Sequence, residues 1–493
     1  MEHKNRANCI SPDMPYCPGC QYGHIGYKDE DYGSPEPPTD CEWGCTYNPS
    51  KAKYESPFTS RYASDDMRSL FSPAMKFQVW RELWVILAKA EKELGLPITD
   101  EQIAELEAHI NIDDLGYKGA EELEEKTHHD VMAHIMAYGQ ECPNAAGIIH
   151  LGATSSYVTD NTDVIIMKTA MEYVRGRLKE LISVLSNMAL DYKEVPTLAY
   201  THYQPAQPTT IGKRICMWIQ DFKSDLQDLD YVYNSIRTLG CKGATGTQAS
   251  FLKLFDGNSM MVEKLDRKVC IMIGIPSYPI TGQTYPRKLD MRIYNVLAGI
   301  AVSASKMAND IRLLQHDGEM REPFGSRQVG SSAMAYKRNP LNCEKIVGLS
   351  RRVITDSINP AWTASVQWLE RTLDDSSNRR LVISEGFLSI DEILKTCIKV
   401  VKGLVVNIAE VNKNLSGELS HLMMEDIIMK LVKMGHDRQK VHEVMRRISM
   451  SGCPIVAEIS SVFDIPYKEV EEMCKPNVGC AEEQVERYLG VNF

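Results

Sequence analysis

The chain has 493 residues, 43% of them hydrophobic, more than one core absorbs, which predicts two or three globular domains. A formal net charge of −11, with no basic stripe interleaved with aromatic residues, excludes a broad phosphate-binding face, so no nucleic-acid partner is expected. No run approaches the ~18 apolar residues of a membrane span and the first residues, Met-Glu-His-Lys-Asn-Arg, hold no leader-like apolar core, so a cytoplasmic protein with reduced thiols and no membrane partner is expected.

Residues 1–50 are rich in Pro, Gly, Cys and acidic groups without helical period, and read as a mostly unstructured extension. Within them Cys17, Cys20, Cys41 and Cys45 have spacings that a four-thiolate zinc site could use, although the flanking segments resemble no known finger. The helical signal starts near Ser60. Phe77, Trp80, Trp84, Leu87 and Leu94 recur at three- and four-residue steps and predict a helix over 76–94, closed by Gly95 and Pro97. Thr99 caps the next helix, and a further segment runs from Glu121 to Tyr138 with Thr127-His128-His129-Asp130 in its middle.

Met167, Met171, Val174, Leu178, Leu181, Leu185 and Met188 form a seam of period 3.5, the mark of a long bundle helix. The same step runs from Leu289 through Ile293, Val296 and Ile300 to Met307 and Leu314, and 209–239, free of Pro and with only Gly212 early in it, predicts a third long helix. Further helices follow in the Pro-free stretch 361–453, and a shorter part ends in the helix Glu482–Leu489. No sustained period-two alternation occurs, so the protein is expected to be almost wholly α, and long helices with seams on several sides predict an oligomer.

Between the seam that ends at Leu314 and the Pro-free stretch 361–453 lies Gly330-Ser-Ser-Ala-Met-Ala-Tyr-Lys-Arg-Asn-Pro340. Gly330, Ser331 and Ser332 can bring amides close to an anion, and Lys337 and Arg338 add charge. The residues alone fit either an active-site loop or a solvated linker. The stretch resembles the Gly-Ser-Ser-x-Met-Pro-x-Lys-x-Asn-Pro signature of the fumarase/aspartase superfamily of lyases, with Thr201-His-Tyr-Gln-Pro-Ala-Gln207 upstream and Glu370-Arg-Thr-Leu-Asp-Asp-Ser376 downstream matching the branch that acts on succinylated purine nucleotides.

The resemblance implies an all-α, three-domain fold: an N-terminal helical domain at 51–153, a central long-helix bundle at 154–406 carrying the loop 330–340, and a C-terminal helical domain at 407–493. It further implies a homotetramer that completes the bundle, active sites shared between chains, a small-molecule nucleotide substrate and no cofactor. The implied reaction is β-elimination across a C–N bond, which needs a base at Cβ, stabilisers for the aci-carboxylate and an acid for the leaving nitrogen, and no metal. Carried over residue by residue, Ser331 is the base, with Ser332 as the competing assignment. His202 is the acid, and Lys337 and His129 assist. Arg61, Tyr62, Asp130, Thr154, Ser155, Gln283, Asn339, Lys345, Arg371, Ser376 and Arg380 match substrate-binding positions.

The chain departs from the pattern at three of its positions. His128 stands where the superfamily has Arg and lacks the bidentate fork, Ala335 stands for Pro, and Lys345 for Arg. None removes a proposed acid or base, so an active enzyme is expected, the rivals being another superfamily lyase, such as one acting on argininosuccinate, and a non-catalytic scaffold that keeps the fold.

Overall fold

The computed structural model describes residues 54–451 and 454–490, with the side chain of Ser420 left aside. The extension 1–50 and the cysteines Cys17, Cys20, Cys41 and Cys45 lie outside the described residues. The chain divides into two compact units, Met1–Arg61 and Tyr62–Phe493. In the first, the described part is the single turn Pro57–Ser60, which Ser56 caps and Arg61 closes through its amide on the Pro57 carbonyl at 2.8 Å.

The second unit is built of helices whose ends follow local chemistry. Pro73–Glu93 starts three residues before the expected 76 because Ser72 accepts the Met75 amide at 3.2 Å and Pro73 presets the first turn. Its stripe buries Trp80, Trp84 and Leu87. A reciprocal capping box between Thr99 and Gln102 opens Asp100–Ala108. The segment expected from Glu121 to Tyr138 is two helices, Asp114–Thr127 and Asp130–Glu141. They part where His128 turns left-handed at φ 51° and His129 becomes the cap of the second.

Ser155–Asp191 is one helix of 37 residues, about 54 Å at 1.5 Å per residue, and buries the whole seam from Met167 to Leu185. The helix expected over 209–239 is Ile211–Ser235. The strand Gln204–Thr210 precedes it and pairs antiparallel with Pro196–Thr201. This hairpin escapes a sequence reading because Pro205 and Pro208 argue against a strand, yet a two-stranded ribbon leaves each strand one free edge that tolerates them. At the crossing, Gly212 leaves no room for a side chain, since a Cβ would stand 2.4 Å from the Ala189 carbonyl.

Lys288–His316 is the third long helix, and Ile211–Ser235 runs against it, with Trp218 Nε1 donating to Asp310 at 2.7 Å and Asp225 lying against Gly299. Asp375–Lys402 completes the bundle. Ion pairs, most of them buried, bring the N-terminal ends of Ser155–Asp191, Lys288–His316 and Asp375–Lys402 together: Arg287 bonds Asp160 at 2.6 Å and Asp375 at 2.7 Å, and Arg379 bonds Asp163 at 2.9 Å and Asp290 at 2.7 Å. These three helices are therefore parallel. A separate apolar core around Ile427, Leu431, Val441, Ile459 and Val470 holds the C-terminal helices. On the long helices Met217, Tyr231, Val302 and Leu313 stay 45–71% exposed. Among the described residues no helix is long and apolar enough to cross a membrane.

Candidate active site

The Gly330–Pro340 loop is tied down by side chains on both flanks. Gln315, at the end of Lys288–His316, donates to the Arg338 carbonyl at 3.0 Å and accepts the Glu322 amide at 3.2 Å. Buried Glu322 caps the next helix, Leu341–Asp356, accepting from the Asn342 amide at 3.0 Å, its side chain at 2.9 Å and the Cys343 amide at 3.0 Å. Asn339 Nδ2 closes the loop on the Gly330 carbonyl at 3.0 Å. Position 330 must be Gly: a Cβ there would stand 2.0 Å from the Lys337 carbonyl.

Inside this loop Ser331 Oγ accepts the amides of Met334 at 3.0 Å and Ala333 at 3.3 Å. Two donors on one oxygen lower the cost of charge on it, which is what a serine needs to take a proton. Ser332 is exposed. The exposed Lys337 ammonium makes no ion pair or hydrogen bond among the described residues and remains available to an anion. A cavity of about 540 Å³ lined by Arg312, Gln315, His316, Arg338 and Glu344 opens at the foot of the loop.

His202 lies at the tip of the hairpin, three residues before Pro205. It and Tyr203 take φ 54° and 57°, the pair of left-handed residues that a tight hairpin turn of matching twist requires. The Tyr203 hydroxyl donates to the Asp317 carboxylate at 3.2 and 3.3 Å, fixing the tip to the end of Lys288–His316. Gln204 Nε2 donates to the Tyr203 carbonyl at 3.1 Å, which leaves the His202 ring exposed and unencumbered.

The remaining predicted residues gather elsewhere. His129 Nδ1 accepts the Met132 amide at 3.3 Å, so the neutral ring carries its proton on Nε2, 3.4 Å from Ser155 Oγ. Thr154 and Ser155 stand at the N-terminus of the 37-residue helix, and Thr154 makes no capping bond. Arg380 reaches to 3.8 Å from Asp130 Oδ2, while Arg371 bonds both Asp375 oxygens at 3.1 and 3.0 Å, with Ser376 half-buried beside it. Burial alone would raise the Asp375 pKa, but Arg287 and Arg371 outweigh it and hold the carboxyl below its usual value. Gln283 bonds the Glu370 and Ala244 carbonyls, each at 3.0 Å. Lys345 Nζ donates to Glu392 at 2.5 Å, a buried carboxylate that also accepts the Ala63 amide at 3.1 Å, next in sequence to half-buried Tyr62. His128 is exposed at its left-handed position, and Arg61 belongs to the first unit.

The two groups stand apart in one chain. Asp290 is tied to the Arg379 end and Gln315 to the loop, and 25 residues of one helix, about 38 Å, lie between them. Sequence reasoning missed Glu322, Arg287 and Asp317, which order the site without touching its open side. Their only sequence signal is that they are charged residues just before or after helices.

The chain matches the lyase family over residues 60–355. It is 45% identical to the adenylosuccinate lyase of Schizosaccharomyces pombe over 452 residues, 88% of this chain and 94% of that one. It is 33% identical to the adenylosuccinate lyase of Pyrococcus abyssi, across 80% of this chain and 86% of the relative. Among solved structures, 3-carboxy-cis,cis-muconate lactonizing enzyme from Pseudomonas putida has the same fold, with a TM-score of 0.79 at 21% identity over 88% of this chain and 98% of that one.

Proposed function

Because the chain belongs to the lyase family, in the adenylosuccinate lyase branch of the fumarase/aspartase superfamily, we infer that it eliminates fumarate from adenylosuccinate and releases AMP. The same elimination extends to the succinylated aminoimidazole carboxamide ribotide of purine nucleotide synthesis. In this reading Ser331 takes the Cβ proton, helped by its two amide donors, and Lys337 steadies the dianionic aci-carboxylate. His202 gives a proton to the departing purine nitrogen, a step worth roughly 10²–10⁴-fold. Arg371, Ser376 and Arg380, with Tyr62, hold the phosphate and carboxylates, and His129, Asp130, Thr154, Ser155, Gln283, Asn339 and Lys345 complete the substrate contacts.

The enzyme acts in the cytoplasm as a homotetramer with shared sites. What supports the shared assembly is the span of about 38 Å between the loop and the Arg371 group, which a second chain running antiparallel would bridge, and the exposed Met217, Tyr231, Val302 and Leu313. The division into 51–153, 154–406 and 407–493 belongs to the same reading and is supported by the separate core around Ile427 and Ile459.

The observation that carries the chemistry is the Ser331 oxygen held by two amides in a loop with an unencumbered ammonium. The test is absorbance-monitored turnover of adenylosuccinate by wild type and Ser331→Ala. Removing the base is expected to lower kcat by at least about 10³-fold in a folded tetramer, given that one lost donor alone costs roughly 10²–10³-fold. Near-normal turnover by the variant would remove the Ser331 assignment, and no fumarate from wild type would overturn the lyase reading.

A further inference from the structure

Beside Arg380 lies a cation that the reaction scheme does not use. Lys76, on the first turn of Pro73–Glu93, places Nζ 4.0 Å from Asp130 Oδ2, the oxygen that Arg380 approaches to 3.8 Å. Among the described residues neither the ammonium nor the guanidinium makes a hydrogen bond. Lys76 is also held from one side, its Nζ standing 4.7 Å from the Trp80 ring centroid and 4.9 Å from that of Phe77. Burial lowers its pKa, an effect that Asp130 and Asp163 partly offset. Two cations thus share one carboxylate oxygen at arm's length, and the neighbouring His129 Nε2–H and Ser155 hydroxyl add donors.

Such an arrangement leaves two cations with several unmade hydrogen bonds on one side, the unmet requirement of a site for a compact anion. We propose that Lys76 is an additional substrate-binding residue, which with Arg380 receives the nucleotide's phosphate. The aromatic faces keep the ammonium poised and shed part of its water in advance, so less reorganisation is needed when the phosphate arrives. This assignment rests on the lyase reading for its ligand, although not for its geometry.

The test compares the full-length wild type with Lys76→Met and Lys76→Arg, measuring KM and kcat for adenylosuccinate and product inhibition by AMP and by fumarate. Lys76→Met is expected to raise KM and the AMP inhibition constant at least tenfold, with kcat within threefold and the melting temperature unchanged. Lys76→Arg restores both constants to within threefold, which a merely structural ion pair with Asp130 would not produce in KM alone. Unchanged constants for AMP in folded Lys76→Met overturn the proposal, as does a shift confined to fumarate. Calorimetric titration with AMP reads the same contrast without turnover. A wild type that binds AMP but does not cleave adenylosuccinate would therefore sink the lyase reading and leave Lys76 judged on its own.

Discussion

The two ends of Lys288–His316 are built on opposite principles. At its start, Arg287 and Arg379 saturate Asp160, Asp290 and Asp375 in a largely buried network with the more exposed Asp163 at its edge, and little is free to move. At its finish, a loop of small residues and a hairpin tip carry Ser331, Lys337 and His202 with open faces, secured by a few bonds from Gln315, Glu322 and Asp317. The network is costly to disturb because its charges have no water to fall back on. The loop end is cheap to disturb and reactive for the same reason. Fixing the frame and doing the chemistry are assigned to separate places in the chain.

The largest expected effect tests the rigid end. Arg287→Met leaves Asp160 and Asp375 without their shared partner and should cost about 3–5 kcal/mol in urea unfolding, since removing one member of a buried pair strands the other. A loss below about 1 kcal/mol would erase the contrast. Next, Glu322→Ala removes the cap that seats the far side of the loop. Stability should fall by about 1–2 kcal/mol while turnover drops at least tenfold, because the loop loses its register. An activity loss no larger than the stability loss explains would mean that Glu322 serves the helix alone.

The pH response sharpens the comparison further. The Asp375 pKa is depressed in the folded chain, so over the acid range the unfolded state binds more protons. Stability from this group is complete above the unfolded value and is lost as pH falls through the folded one, with a slope of at most about 1.4 kcal/mol per pH unit. Asp375→Asn should flatten that acid limb between about pH 5 and 3, whereas Lys337→Met at the open end should leave it as steep. The smallest effect is a gain. Lys337 N–H donates to the Met334 carbonyl at 3.1 Å, which puts Ala335 at the second position of a turn, where Pro is favoured. Ala335→Pro should stabilise by about 0.4–1 kcal/mol and slow proteolytic nicking of the loop, and any destabilisation would show that the turn needs a different backbone angle.

The long helices were legible because Met167 through Met188 and Leu289 through Leu314 repeat an apolar step that admits one reading. The hairpin was hidden by Pro205 and Pro208, and the break at His128 by a left-handed residue that is neither Gly nor Asn. The site residues were recognisable only through motifs, since singly each is an ordinary polar group. Where they go was not legible: Arg287 meets Asp160 across 127 positions, and no local pattern in the sequence records a partner that distant. Lys345 likewise meets Glu392 across 47 positions.

The 37-residue helix Ser155–Asp191 also acts as a ruler. One residue inserted or deleted at its middle would turn everything beyond it by about 100° and shift it by about 1.5 Å, unseating the seam and the buried pair at Asp160 together. Side chains along it can be exchanged one at a time, each change absorbed by its neighbours. Length cannot be changed by small steps. Over long descent such a protein should keep its count of residues between fixed points while its composition drifts, so the spacing of its motifs, rather than their surroundings, is the lasting mark of its lineage.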